Sequence, residues 1–248
     1  MKTIFMKLSR NKINPFSLFM AVVLLSLNAC LSDPDLEFEG YADVYIVKKT
    51  VNGSTKYSPY YFVYSNTALN SAVVTLPGAT GPLSLEPYLS DNFIFSNKPT
   101  DSNLTSSIPA AGSYSFAVTT KEGEAHVITD NLTSSEIPVP ELTEASFNTT
   151  SGSISVKWKA IATASAYNLK LYKQSGDLVF SSALFVITKT ELLIDQATTG
   201  WVVGNPVLNT TYRLELNAYK FEEGATDQNY SYNVQCVAVT ETNVTWLQ

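Results

Sequence analysis

Few side chains in this chain are of the types that do chemistry. His126 is the one histidine among 248 residues, and it stands between Ala125 and Val127 in a run that reads as a strand. A general acid or base needs a partner within hydrogen-bond reach, and no motif here supplies one. Cys236 falls on the apolar face of "NYSYNVQCVAV", which makes it a small hydrophobe rather than a nucleophile. The sequence contains no zinc-type Cys/His spacing, no Asp-rich EF-hand loop and no phosphate-cradling glycine loop. These observations point to no metal, no cofactor and no enzyme. Carboxylates are plentiful enough to leave a glycosidase pair open, but glycosidases generally need a larger scaffold than the modules read below.

Aromatic residues are the stronger candidates. "KYSPYYFVYS" sets Tyr60, Phe62 and Tyr64 on one face of a strand and Tyr61 and Val63 on the other. One face must be core. The other either packs on a neighbour or offers a platform on which sugar rings stack. Tyr61 is the candidate platform in this strand, and Trp201 in "TTGWVVGNP" is a second.

The elements that must position these residues are strands. In "SISVKWKA", Ile154, Val156 and Trp158 alternate with polar residues. Tyr167, Leu169 and Leu171 do so in "SAYNLKLYK", and Tyr212, Leu214, Leu216 and Ala218 in "TTYRLELNAYK". Tyr232, Val234, Cys236 and Ala238 share one face of a fourth run. Period-2 alternation of this kind is a strand with one buried face. In the first half, Asn52-Gly53 separates two strand-like runs, a strong hairpin signal, and a second hairpin turns at Glu122-Gly123. The prolines of "SSEIPVPEL" mark an extended linker. The fold class is therefore all-β. It comprises two tandem β-sandwich modules, at 40–136 and 142–248, on either side of a linker at 137–141.

In the second module, Trp158 on an early strand, Ala166-Tyr167-x-Leu169 on the next, and Leu208-x-x-Thr211-Tyr212-x-Leu214-x-Leu216-x-Ala218 later resemble a fibronectin type III module. The resemblance implies that Trp158, Tyr167 and Tyr212 are structural, with Tyr212 as a tyrosine corner bonded to nearby backbone. Residues 181–205 are longer than that family usually allows, so they are either a functional insertion or a wide connection. Gly112-Ser113-Tyr114-Ser115-Phe116 resembles a late strand of an immunoglobulin-like domain, which makes the first module Ig-like.

The start of the chain carries an address. Lys2, Lys7, Arg10 and Lys12 precede an apolar run from Phe16 to Leu27, the layout of a secretory signal. Leu27-Asn28-Ala29-Cys30 resembles a bacterial lipobox. It implies a signal peptide over 1–29, lipidation of Cys30 and an acidic tether over 30–39. Ser32, Asp33 and Asp35 resemble the acidic export tag that carries Bacteroidetes-type lipoproteins to the cell surface; the plainer reading is a solvated tether. Removing residues 1–29 takes the formal charge from −6 to −10, which argues against nucleic-acid binding.

The expectation is a non-enzymatic outer-membrane lipoprotein, lipid-anchored and facing the cell surface or, alternatively, the periplasm. It would serve as a binding or adhesion module for a glycan or surface-protein partner. The alternatives are a glycan-binding accessory of a polysaccharide-uptake system and a structural subunit of a surface fibre or envelope complex.

Overall fold

A computed structural model of the chain describes residues 37–88, 91–202, 204–226 and 228–247. The expected signal peptide, Cys30 and the Ser32, Asp33 and Asp35 tag lie outside the described residues. Within them the protein is all-β, with two short 3-10 turns at Asp101–Asn103 and Tyr230–Tyr232. No described helix is long and apolar enough to cross a membrane.

The first half contributes β1 (Gly40–Val51), β2 (Ser54–Ser65), β3 (Leu69–Thr75), β4 (Leu83–Tyr88), β5 (Asp91–Asn97), β6 (Gly112–Thr120) and β7 (Ala125–Leu132). The β1–β2 hairpin closes over Asn52 and Gly53 with Val51 opposite Ser54. Both turn residues have positive φ, 51° and 75°. A two-residue turn matching the strand twist requires that conformation, which Asn and Gly adopt at least cost. β4 pairs with β5 through Glu86 and Pro87 and with β3 through Leu85, Ser84 and Leu83. It thereby carries the chain from one layer, β1-β2-β5, to the other, β3-β6-β7. Val44, Val63, Val74 and Phe116 are completely buried between those layers.

The second half contributes β8 (Leu142–Asn148), β9 (Ser153–Trp158), β10 (Ala166–Tyr172), β11 (Leu178–Ser181), β12 (Glu191–Ile194), β13 (Thr210–Phe221) and β14 (Val234–Trp246). The three-stranded sheet β12-β9-β8 faces the run β11-β10-β13-β14. The alternating residues of β9, β10 and β13 meet between them, with Ile154, Val156, Leu169, Leu171, Leu214 and Leu216 all at 0% exposure. The Tyr212 hydroxyl accepts the Val207 N–H at 2.9 Å, across the corner that leads into β13. Tyr167 is fully buried, and its hydroxyl accepts the Ile161 N–H at 2.6 Å. Trp158, 3% exposed, packs on the Tyr167 ring.

The two halves share a sheet. β1 and β14 pair in parallel, with Ile46 opposite Cys236, Val47 opposite Val237, Lys48 opposite Ala238 and Lys49 opposite Val239. Each strand would otherwise end its own sandwich as an exposed edge, and mutual pairing satisfies both rows of backbone groups. The segment around the prolines seals the join. Gln235 accepts from the Thr133 N–H and hydroxyl and donates Nε2 to the Thr133 carbonyl. Lys48 pairs with Glu136 at 3.1 Å, Ile137 is 1% exposed, and the Thr240 hydroxyl donates to the Pro140 carbonyl. The linker is thus held along β14 rather than swinging between the modules.

Candidate functional site

The shared sheet creates a surface that neither half has alone. Strands β10, β13, β14, β1, β2 and β5 run side by side, and one of their faces turns away from both cores. Register fixes which side chains stand on that face. β13 presents Arg213, Glu215, Asn217 and Tyr219, the positions that alternate with its core residues. β14 adds Val237, Val239 and Glu241, β1 adds Tyr45, Val47 and Lys49, and β2 adds Tyr60 and Phe62. Val234, Val237 and Val239 cluster with Tyr45, Val47, Tyr219 and Phe221 to make an apolar floor.

Two contiguous hollows lie over this face, of about 420 Å³ and about 560 Å³. They share Tyr45, Tyr60, Tyr88, Lys170 and Tyr219, so they form one groove across the join. Tyr45 and Tyr60 pack with ring centres 4.8 Å apart. Tyr88 stands at the rim 45% exposed, and Tyr230, 37% exposed, lines the far hollow. Aromatic rings with a polar tip suit a ligand that is apolar on one face and hydroxylated at its edges.

One end of the groove is charged. Lys49 bridges Glu241 at 2.6 Å and Asp101 at 3.0 Å. Arg213 reaches Glu215 at 3.2 Å and Glu241 at 3.4 Å, and its guanidinium lies 4.8 Å from the centre of the Tyr172 ring. Burial raises the Glu215 carboxyl above its ordinary range, with Arg213 opposing and Glu241 adding to the rise. Burial lowers the Lys170 amine. Burial also raises Tyr45 well above the ordinary phenol range and pushes Tyr219 to about 12, so these hydroxyls remain protonated donors at neutral pH. The network offers fixed donors and acceptors, because each of Arg213, Glu215 and Glu241 is held by a charged neighbour.

Of the two aromatic platforms expected from sequence, Tyr61 is corrected, and Trp201 is half-buried. Tyr61 is 3% exposed and packs on Tyr114 in the first core. β1–β2 pairing puts Tyr61 opposite Val44 and Tyr60 opposite Tyr45, so Tyr60 and Phe62 take the groove face instead. Trp201 is engaged in packing. Its ring is 5.1 Å from Phe180 and edge-on to Trp246 at 5.8 Å, and its indole N–H donates to the Asp195 carbonyl at 2.9 Å. The adjacent Gly200, at φ +127°, brings backbone so close that a Cβ there would sit 2.4 Å from the Ser181 carbonyl. Residues 181–205 therefore include a connection laid tightly along the sandwich edge.

His126 lies on β7 with Nε2 3.4 Å from Glu124, away from the groove residues. Cys236 is free and fully buried, and burial pushes its thiol up to about 11. The groove itself is invisible to local sequence reasoning, because Tyr45 and Tyr219 are 174 residues apart. The one available signal was the polar alternation Arg213, Glu215, Asn217, which reads simply as a solvent face.

No protein-family model and no curated protein sequence matches the chain. Among solved structures, the two-domain fibronectin type III segment of chicken tenascin aligns over 82% of this chain and 99% of its own. The identity is 8% and the TM-score 0.26. The FN1–FN3 domains of chicken CNTN1 align over 85% of this chain and 65% of theirs, at 9% identity and TM-score 0.27. The Bacteroides ovatus mixed-linkage glucan utilization locus SGBP-B, in complex with a mixed-linkage heptasaccharide, aligns over 83% of this chain and 60% of its own. Its identity is 10% and its TM-score 0.18. Values this low do not establish a common overall arrangement.

Proposed function

We propose that this protein is a non-enzymatic binding protein, lipid-anchored through Cys30 at the outer surface of the cell, and that it holds a glycan chain in the groove across the shared sheet. The observation that carries the reading is the groove. Tyr45, Tyr60, Tyr88 and Tyr219 line a continuous trough, with Arg213, Glu215 and Glu241 fixed at one end. A sugar ring stacks through its C–H face on the exposed ring of Tyr88, above a floor that includes the buried Tyr60, while the charged end accepts and donates to hydroxyls. The carboxylates serve orientation rather than catalysis, since ion pairs to Arg213 and Lys49 occupy them. The lipobox-like Leu27–Cys30 and the acidic residues behind it support the anchor, and several acyl chains at ~0.8 kcal/mol per buried CH₂ make it lasting.

Affinity electrophoresis in gels with and without a polysaccharide panel tests the binding. Retarded migration in at least one polysaccharide is expected. Tyr88→Ala removes an exposed ring and should weaken that retardation about 3- to 10-fold, the worth of one aromatic contact. Unchanged mobility across the panel, or a Tyr88→Ala variant as retarded as the parent, would overturn the reading. Release of reducing ends from the retained polysaccharide would overturn the non-enzymatic part. Proteinase shaving of intact cells tests the location: loss of the full-length band with a periplasmic control intact is expected. Survival until lysis would place the protein inside the envelope.

A further inference from the structure

Three acids from distant parts of the chain meet at the join between the halves: Asp43 on β1, Asp130 on β7 and Glu222 just past β13. One carboxylate oxygen from each comes within 4.8 Å of the others. Among the described residues, no lysine or arginine pairs with any of the three. Asp43 is 1% exposed, and one of its oxygens accepts the Val234 N–H at 3.1 Å. Its other oxygen, Oδ1, is buried with no hydrogen-bond partner, and so is Glu222 Oε1. Asp130 is held in place by the Val44 N–H at 2.7 Å and the Asn131 N–H at 2.8 Å.

Carboxylates gathered in this way repel one another, and burial denies them water. An unpartnered buried carboxylate oxygen is costly unless something positive meets it. Either protons or a cation must supply the compensation. The donor set is all oxygen, with no thiol or imidazole among the three. That chemistry selects a hard divalent ion over zinc or copper, and the chain's irregular, carboxylate-rich arrangement suits the flexible coordination of calcium better than the strict octahedron of magnesium. We propose that Asp43, Asp130 and Glu222 form a calcium site that clamps the first sandwich to the second. Asp43 and Asp130 belong to the first half and Glu222 to the second, and the Asp43 bond to Val234 already links them at the start of β14. Asp130 and Glu222 are only half-buried, which leaves a path for the ion. The site is independent of the proposed glycan reading.

The test is calorimetric titration of the chelator-stripped mature chain with calcium, alongside magnesium and zinc, with thermal unfolding at each ion concentration. A single saturable calcium site is expected, with affinity in the range of roughly 0.1–1 mM seen for extracellular modules, and a rise in Tm on saturation. Glu222→Gln and Asp130→Asn keep shape while removing charge, and each should weaken calcium binding at least about tenfold. Circular dichroism of each variant separates loss of the site from loss of the fold; Glu222, at the half-buried edge, is the variant expected to fold normally. Absence of saturable heat and of any Tm rise up to about 10 mM calcium, well above that affinity range, would overturn the proposal. Unchanged affinity in a folded Glu222→Gln would do the same, as would preference for zinc.

Discussion

Replacing Val74 by Ala tests whether the shared sheet makes the two halves one cooperative unit. Val74 lies on β3, is 0% exposed, and belongs wholly to the first sandwich. The substitution removes two buried carbons, worth about 0.8 kcal/mol each, and leaves a small cavity, for a total of roughly 2–3 kcal/mol. All three tryptophans, Trp158, Trp201 and Trp246, lie in the second half, so their emission reports only that half. The halves are joined by four β1–β14 residue pairs, with Ile46 and Val237 buried at the seam at 0% and 6% exposure. Side chains of that kind contribute about 1.5–3 kcal/mol each. With the Gln235–Thr133 bonds added, the seam is worth on the order of 5 kcal/mol or more. A seam of that size exceeds the expected loss at Val74, so the damage should be felt throughout. In urea, with a slope near 3 kcal/mol per molar for a chain of this size, the tryptophan transition of Val74→Ala should move down by roughly 0.7–1 M. It should coincide with the transition seen by circular dichroism. A tryptophan transition left in place while circular dichroism splits into two phases would refute the coupling.

The buried thiol gives a pH prediction. The folded Cys236 is raised from 9.0 to about 11 by burial. Its contribution to stability is therefore complete below about pH 9 and is lost as pH rises through 11, because the native state holds the proton that the unfolded state gives up. Two units correspond to about 3 kcal/mol. Denaturation curves of Cys236→Ala between pH 8 and pH 11 should fall less steeply than those of the parent by about 2 kcal/mol, the remainder being lost only above pH 11, and equal slopes would contradict the assignment. The tyrosine corner gives a third test: Tyr212→Phe should cost about 1 kcal/mol in urea denaturation, by leaving the Val207 N–H without its acceptor. The same change at Tyr64, 39% exposed, should cost less than 0.5 kcal/mol, and equal costs would show that the corner bond contributes nothing.

The strands and their inward faces were legible in the sequence because each depends on neighbours two residues away. Ile154, Val156 and Trp158, or Leu214 and Leu216, declare a buried face by alternation alone. Asn52-Gly53 declares its turn because few other residues tolerate two successive positive φ angles. The choice between the two faces of β2 was not legible. Both carry aromatic residues, and only pairing with β1 and β5 decided that Tyr61 enters the first core while Tyr60 is buried on the groove face. The role of Trp201 was equally hidden, because its neighbours Phe180 and Trp246 arrive from other strands.

By itself, the sequence determined that this chain is built from strands, and it marked the alternating residues, such as Ile154, Val156, Leu214 and Leu216, that are buried; those are matters of local period and turn chemistry. The tertiary structure decided that β1 lies beside β14, and with that pairing came the groove, the clamp of the linker and the meeting of Asp43, Asp130 and Glu222. The reason is physical. Two strand edges attract each other through backbone groups common to every residue, so nothing in the side-chain pattern of either strand names its partner.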